Sequence, residues 1–278
     1  MKKEHSVRQM CAAFEVERSG YLTWCKAPAS QREQTDALLS EQIQVVHEKH
    51  KGRYGAPRIQ DELAEQGSRH GVKRIARLMK SAGIQGLSPK RFVPQTTDSN
   101  HDHPIAPNRL AEAPATTAPD QIWVADITYI QTQQGWLYLA AVLDLYSRKV
   151  VGWAMSESID TTLVLGALSM ALLHRNPPPN LLFHSDRGVQ YASGDFRTAL
   201  AQANLIPSMS RKGNCYDNAT MESFWSSLKL ELIYRRNFTT HNQARSEIFD
   251  YIECFYNSRR SHSSINFQSP VDFELQNN

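Results

Sequence analysis

Ile122-Trp123-Val124-Ala125-Asp126-Ile127-Thr128-Tyr129-Ile130 is apolar on both of its alternating faces apart from Asp126 and Thr128. That is the composition of a central strand covered on two sides. A carboxylate isolated in such a setting costs on the order of several kcal/mol or loses its charge, so Asp126 calls for a compensating cation. The bland alternative is a buried Asp satisfied by hydrogen bonds. Outward from this strand, Gly135–Asp144 and Lys149–Met155 read as two more strands, followed by a helix over Thr161–His174 that Pro177-Pro178-Pro179 breaks. A short strand at Leu181–His184, a helix at Gly194–Asn204 and a strand at Ile206–Met209 come next. Two helices, near 218–234 and 241–258, close the chain. The expected class is α/β.

Two further carboxylates belong with Asp126. Asp186 ends the apolar run Leu181-Leu182-Phe183-His184-Ser185, at the carboxyl end of a strand, where open sheets place their chemistry. A turn or helix cap is its ordinary alternative. Glu222 opens a helical stretch, Met221–Tyr234, and read alone it would be an ordinary helix Glu. Asp186 and Glu222 are 36 positions apart, with 35 residues between them. Lys229 follows Glu222 by 7 positions, two turns along the same helical face. Ser226 shares that face, and Met221, Phe224, Trp225 and Leu228 form the apolar side. Three carboxylates converging from two strand ends and a helix suit a pair of hard divalent ions, Mg²⁺ with Mn²⁺ as a substitute, and the transfer of phosphoryl groups on nucleic acid. Lys229 would meet a neighbouring phosphate. Asp144, at the end of the second strand, is a competing carboxylate that ranks below the three.

The segments WVADITYI (123–130), HSDRGVQY (184–191), GNCYDNATMESFWSSLKLEL (213–232) and YNSRRSHSSINFQSP (256–270) resemble, in order, the signature blocks of bacterial insertion-sequence transposases. The resemblance is to the second-reading-frame (OrfB) type, with a retroviral-integrase-like DDE core, and spans nearly the whole chain. It implies a ribonuclease-H-like mixed five-stranded sheet with helices on both faces, and Asp126, Asp186 and Glu222 as the catalytic and metal-holding triad. It implies strand cleavage and strand transfer at insertion-element ends, with 3′-end nicking followed by attack of that 3′-hydroxyl to give a circular intermediate. Its implied partners are DNA (terminal repeats and target), an upstream-frame (OrfA-type) protein as fusion or partner, and further copies of the chain. The chain starts at its own Met1 without a convincing leucine heptad, so completion by that upstream protein is expected. Ser261 and Asn266 depart from the Pro and Gly frequent in relatives; neither belongs to the triad. His184, Asn214, Tyr216, Asp217 and Asn218 either shape the pocket or cap the Glu222 helix.

The charge is unevenly spread. The net charge is only +3, but residues 51–100 hold ten Lys/Arg against four Asp/Glu, whereas residues 101–200 hold six against nine. A DNA-holding part preceding a metal-holding part accounts for this; a solvated helix face accounts for the charge equally well. Residues 4–26 and 36–86 read as helical, with Leu39, Ile43, Val46, Ile59, Leu63, Val72, Ile75, Leu78 and Met79 at helical spacing. Residues 71–79 resemble the second helix of a helix-turn-helix, with Lys73, Arg74, Arg77 and Lys80 outward as phosphate contacts; a generic three-helix bundle fits the pattern too. Arg211, Lys212, Arg259 and Arg260 are the other candidate DNA contacts, the last two also suiting a helix C-terminus. The expected division is a helical region over 1–87, a linker with six prolines over 88–119, and the catalytic core over 120–278.

Several classes are excluded. No apolar run approaches ~20 residues, so a membrane-spanning helix is not expected. Cys11, Cys25, Cys215 and Cys254 show no CxxC pairing, which argues against a zinc site or disulfide framework. A bacterial cytoplasmic, nucleoid-associated protein is expected. The rivals are a non-catalytic DNA-binding regulator and a structure-directed nuclease of the same fold, which would hydrolyse but not join.

Overall fold

Strand β1 (Ile122–Thr132) occupies the middle of a five-stranded sheet. The computed structural model describes residues 6–28, 30–87, 103–211 and 218–277, which fall into two units, 1–86 and 87–278. In the larger unit β1 turns back into β2 (Gly135–Asp144) and pairs with it antiparallel, from Thr132 opposite Gly135 to Trp123 opposite Asp144. Gly135 takes a φ of +113° at this turn, a conformation that strains any residue with a Cβ. β3 (Val150–Ser156) adds antiparallel to β2, while β4 (Leu182–Ser185) and β5 (Ile206–Met209) add parallel on the other side. The order β3-β2-β1-β4-β5 is the mixed sheet expected of a ribonuclease-H-like fold.

Helices cover both faces. α6 (Thr161–Arg175) and α8 (Gly194–Gln202) bury Leu163, Val164, Ala167, Phe196 and Leu200 against Trp123, Ala125 and Val142. α6 packs on bare strand backbone at Gly152, where a Cβ would run into Ala167 O and lie 2.6 Å from Ala171 N. On the opposite face α9 (Ala219–Glu231) and α10 (His241–Phe249) set Met221, Phe224, Leu228 and Ile248 against Val124, Ile130, Leu139 and Ala141. The expected single helix over 241–258 is α-helical only to Phe249, then widens into a π-helix, Asp250–Tyr256. The short helix α7 (Val189–Ala192) and the final helix α11 (Pro270–Asn277) were not anticipated.

The smaller unit is all-helical: α1 (Val7–Ala13), α2 (Arg18–Lys26), α3 (Gln31–Lys49), α4 (Ala56–Glu65) and α5 (Val72–Ser81). Its core joins Leu39, Ile43 and Val46 of α3 to Ile59 and Leu63 of α4 and Ile75, Leu78 and Met79 of α5, the residues whose helical spacing predicted it. Ser30 starts α3 with a reciprocal cap to Glu33. Lys73 and Lys80 are exposed on α5. Arg74 and Arg77 do not stand free as expected, because both guanidinium groups close on Asp36 of α3, at 2.6 and 2.5 Å.

Arg260 requires a correction. It is 5% exposed and its guanidinium grips Glu231, the last residue of α9, with Nη2 at 2.7 Å and Nε at 3.0 Å. Tyr251 Oη donates to the same carboxylate at 2.9 Å, and Arg260 Nη2 also donates to Ser227 at 2.9 Å. A carboxylate at the buried end of a helix needs a cation, so Arg260 is spent inside the fold on Glu231 and does not stand outward as the sequence suggested. Arg259 is exposed beside it. Arg260→Met leaves Glu231 buried without its partner and is expected to lower unfolding stability by about 3–5 kcal/mol, read as a shift in the urea midpoint at unchanged slope.

Candidate active site

Parallel pairing of β1 with β4 runs only from Ile122–Leu182 to Val124–His184. The strands then part, and Asp126 and Asp186 stand on the two lips of the opening. Asp126 Oδ1 accepts from Ile127 N at 2.8 Å and its Oδ2 accepts from the indole N–H of Trp225, in α9, at 2.9 Å. Asp186 Oδ1 accepts from Gly188 N at 2.9 Å. A Cβ at Gly188 would sit 3.0 Å from that same oxygen, so the glycine allows the loop to fold tightly under the carboxylate. His184, fully buried one strand-face step before Asp186, lies 2.9 Å from Ser208 Oγ and 3.0 Å from Ser210 Oγ of the β5 side. It fixes β4 to β5 just beneath the opening.

Glu222 lies in the first turn of α9, exposed. Asn218, at the helix start, donates to Ala125 O at 3.3 Å, and Arg148 Nη1 donates to Thr220 Oγ1 at 2.7 Å. These two bonds tie the first turn of α9 to β1 and to the β2–β3 turn. Lys229, two turns on, sets its ammonium 4.9 Å from the centre of the Tyr129 ring.

The electrostatics join the three carboxylates. Burial first, and then the Asp186 charge, raise the Asp126 carboxyl to about 7; the bonds from Ile127 and Trp225 pull the other way, and the Glu222 charge adds to the rise. Burial also raises Glu222. Burial lowers Lys229, against the opposing pull of Asp126. Tyr191, buried in α7, is raised well above the usual phenol range by burial and then by the charges of Asp126 and Asp186. Its hydroxyl has no partner among the described residues, and no signal in its own segment distinguished it beforehand.

Hard oxygen donors crowded where their own charges repel fit a divalent cation, which would relieve the repulsion. Among the described residues no three His, Cys, Asp or Glu side chains close into a metal-holding group. Asp126 and Asp186 form the crowded pair, and exposed Glu222 stands off from them. Asp144 is settled as structural: wholly buried, it accepts from Asp120 N, Tyr146 N and Ser147 N at 2.7–3.0 Å and from Ser147 Oγ at 3.0 Å, and so shapes the β2–β3 turn. Arg211 is exposed just past β5. Lys212, Asn214, Tyr216 and Asp217 lie outside the described residues.

An integrase core family profile matches residues 116–215, and a second integrase core profile matches 222–277. An HTH-like domain profile matches 33–92. The chain is 47% identical to the insertion element IS600 uncharacterized 31 kDa protein of Shigella sonnei, over 95% of this chain and 97% of that one. It is 42% identical to the transposase InsF for insertion sequence IS3A of Escherichia coli K12, over 99% and 96%. In fold it is similar to a chain in a simian T-cell lymphotropic virus intasome bound to a PP2A regulatory subunit, at 15% identity and a TM-score of 0.50, covering 84% of this chain and 74% of that chain.

With a folded-state value near 7 against an ordinary carboxylate value of about 3.9, Asp126 favours the protonated native state. The stability linked to that proton is complete below about pH 4 and is lost as pH rises through about 7. Asp126→Asn is therefore expected to leave the metal-free melting temperature unchanged at pH 4 and to raise it at pH 8. Thermal unfolding across pH in EDTA measures this.

Proposed function

The chain belongs to the IS3-type insertion-sequence transposases, the second-frame kind with an integrase core, and from that premise we propose that Asp126, Asp186 and Glu222 are its catalytic triad. The family carries out DDE-type DNA cleavage and strand transfer. The observation that carries the residue assignment is the Asp126 carboxyl where β1 and β4 part, which burial first and then the charge of Asp186 raise to about 7.

Asp126, Asp186 and Glu222 would hold two Mg²⁺ ions, which when bound supply Lewis-acid activation of the attacking oxygen and charge stabilisation of the leaving 3′-oxygen. The chain itself orients the ligands. Ile127 N–H and the Trp225 indole each hold one Asp126 oxygen, and Gly188 N–H holds Oδ1 of Asp186, so both carboxylates are oriented by protein donors. The apolar packing of β1 keeps bulk water from the base of the site and strengthens every charge interaction there. Lys229, its ammonium over the Tyr129 ring and within the pull of the Asp126 charge, would receive a phosphate beside the one being cut. Water or a DNA 3′-hydroxyl can each serve as nucleophile at this geometry, so cleavage and joining need no covalent link to the protein.

The proposed exposed phosphate contacts are Arg211 and Arg259 in the core unit and, separately, Lys73 and Lys80 in the helical unit; Arg74 and Arg77 would join the latter only by sharing Asp36. Lys212 completes the set on sequence grounds. The helical unit at 1–87 would grip DNA and 88–119 would join it to the core at 120–278. The proposed assembly is a multimer on DNA, completed by the upstream-frame protein as fusion or partner.

Labelled element-end DNA incubated with Mg²⁺ and the chain, alone and fused to its upstream partner, is expected to show nicked and longer joined products. Glu222→Gln should reduce both by more than about 100-fold, the upper range for disturbing a metal's supporting shell. DNA binding with no cleavage in either form, unaffected by the substitution, would overturn the assignment.

A further inference from the structure

Beyond the carboxylates, the β1–β2 hairpin carries aromatic rings that the triad chemistry leaves unused. Tyr129 and Trp136 meet edge to face, ring centres 5.1 Å apart and planes at 88°. They lie on one face of the hairpin, with Tyr129 opposite Tyr138 and Trp136 opposite Gln131, two register positions nearer the turn. Trp136 is 47% exposed and Tyr234, in the single 3-10 turn after α9, is 63% exposed. Burial, and then the charge of Tyr129, push the Tyr234 hydroxyl up. Thr132 bridges to Phe238 and Gln133 N bonds to Phe238 O at 3.0 Å, so the segment after α9 is fastened to the hairpin tip.

Its position connects it to the chemistry. Tyr129 follows Asp126 by three residues, an odd step that places it on the other face of β1, on a strand whose edge has lost β4 as a neighbour. Lys229 reaches its ring from α9 while also feeling the Asp126 charge. Exposed aromatic faces beside a cation and next to a phosphate-handling site are the two halves of a single-strand binding surface, rings for bases and ammonium for backbone. An apolar protein partner would be met by Lys229 without a counter-charge, whereas a nucleic acid strand supplies one.

We propose that Tyr129, Trp136 and Tyr234 form a stacking platform for an unpaired nucleobase of the DNA strand engaged at the carboxylates, with Trp136 as its main face and Tyr129 as its buttress. This rests on the functional reading above. Stacking there would hold a base drawn out of the duplex and leave the adjoining phosphate within reach of Lys229 and Asp126. The platform is tolerant of base identity, because every base offers a π face.

The test uses the full chain in EDTA with a forked DNA duplex carrying 2-aminopurine in its unpaired tract. Wild type is expected to quench the probe and to bind the forked duplex more tightly than the fully paired one. Trp136→Ala should abolish the quenching and weaken forked binding roughly ten-fold, the scale of one lost base–aromatic stack, with paired-duplex binding unchanged. Trp136→Phe should restore most of both, and Tyr234→Ala should give a smaller loss. Trp24→Ala, at an exposed Trp in the helical unit, is the control. Quenching and preference that survive Trp136→Ala, or a wild type that shows neither, overturn the platform. Nicking of element-end DNA in Mg²⁺ is scored separately: quenching without nicking sinks the catalytic reading and spares the platform, and nicking without quenching does the reverse.

Discussion

Two parallel strands that pair for three residues and then separate create the position at which we propose this molecule's chemistry takes place. Up to Val124 and His184 the backbone groups of β1 and β4 satisfy one another; beyond that pair the strands diverge, and carboxylates can stand where a ladder would otherwise close. Strand order places the opening at the carboxyl end of β4 in a sheet covered on both faces, where an open α/β sheet leaves its crevice. His184 supports the lip from below through Ser208 and Ser210. Removing that support would loosen Asp186 without touching it.

The site is costly for the fold that carries it. Asp126 is placed where neither burial nor Asp186 favours its charge, and among the described residues two hydrogen bonds, from Ile127 and Trp225, offset the penalty. The compensation comes from the far end of α9. Arg260, Tyr251 and Ser227 lock that end through Glu231, while Asn218 and Thr220 tether the first turn. The helix that brings in Glu222 and Trp225 is thus fixed at both ends before any ligand arrives.

Much of this was legible in the sequence, for identifiable reasons. The apolar run around Asp126 admits few structures other than a central strand, and the helical spacing of Leu39, Ile43 and Val46 allowed little but a packed helix. Strand β5 matched its expected bounds, because Ile206–Met209 is a short apolar run with a proline tolerated at a sheet edge. What could not be read depends on distant partners. Arg260 looks like any basic residue near a helix end until Glu231 is found 29 positions away. Asp144 resembles a catalytic carboxylate until the amides of its turn are seen to surround it. Trp225 read as core packing, and its apolar face is in the core, but its N–H serves Asp126. The π-helix after Phe249 leaves no periodic trace, since a single widened turn shifts the pattern by one residue.

The pairing of Asp36 with Arg74 and Arg77 bears on how salt would govern this protein's grip on DNA. Affinity for a polyanion follows the number of condensed counterions displaced, not the number of basic residues in a helix. On α5 four cations face outward in the sequence, but two already share a carboxylate. Phosphate contacts from Lys73 and Lys80 alone would displace roughly two ions, giving a logarithmic salt slope of about −2 for this helix, half of what counting charges suggests. A DNA grip built this way holds more evenly across ionic strengths and gains less from dilution, which suits a protein that must both hold its own ends and let go of everything else.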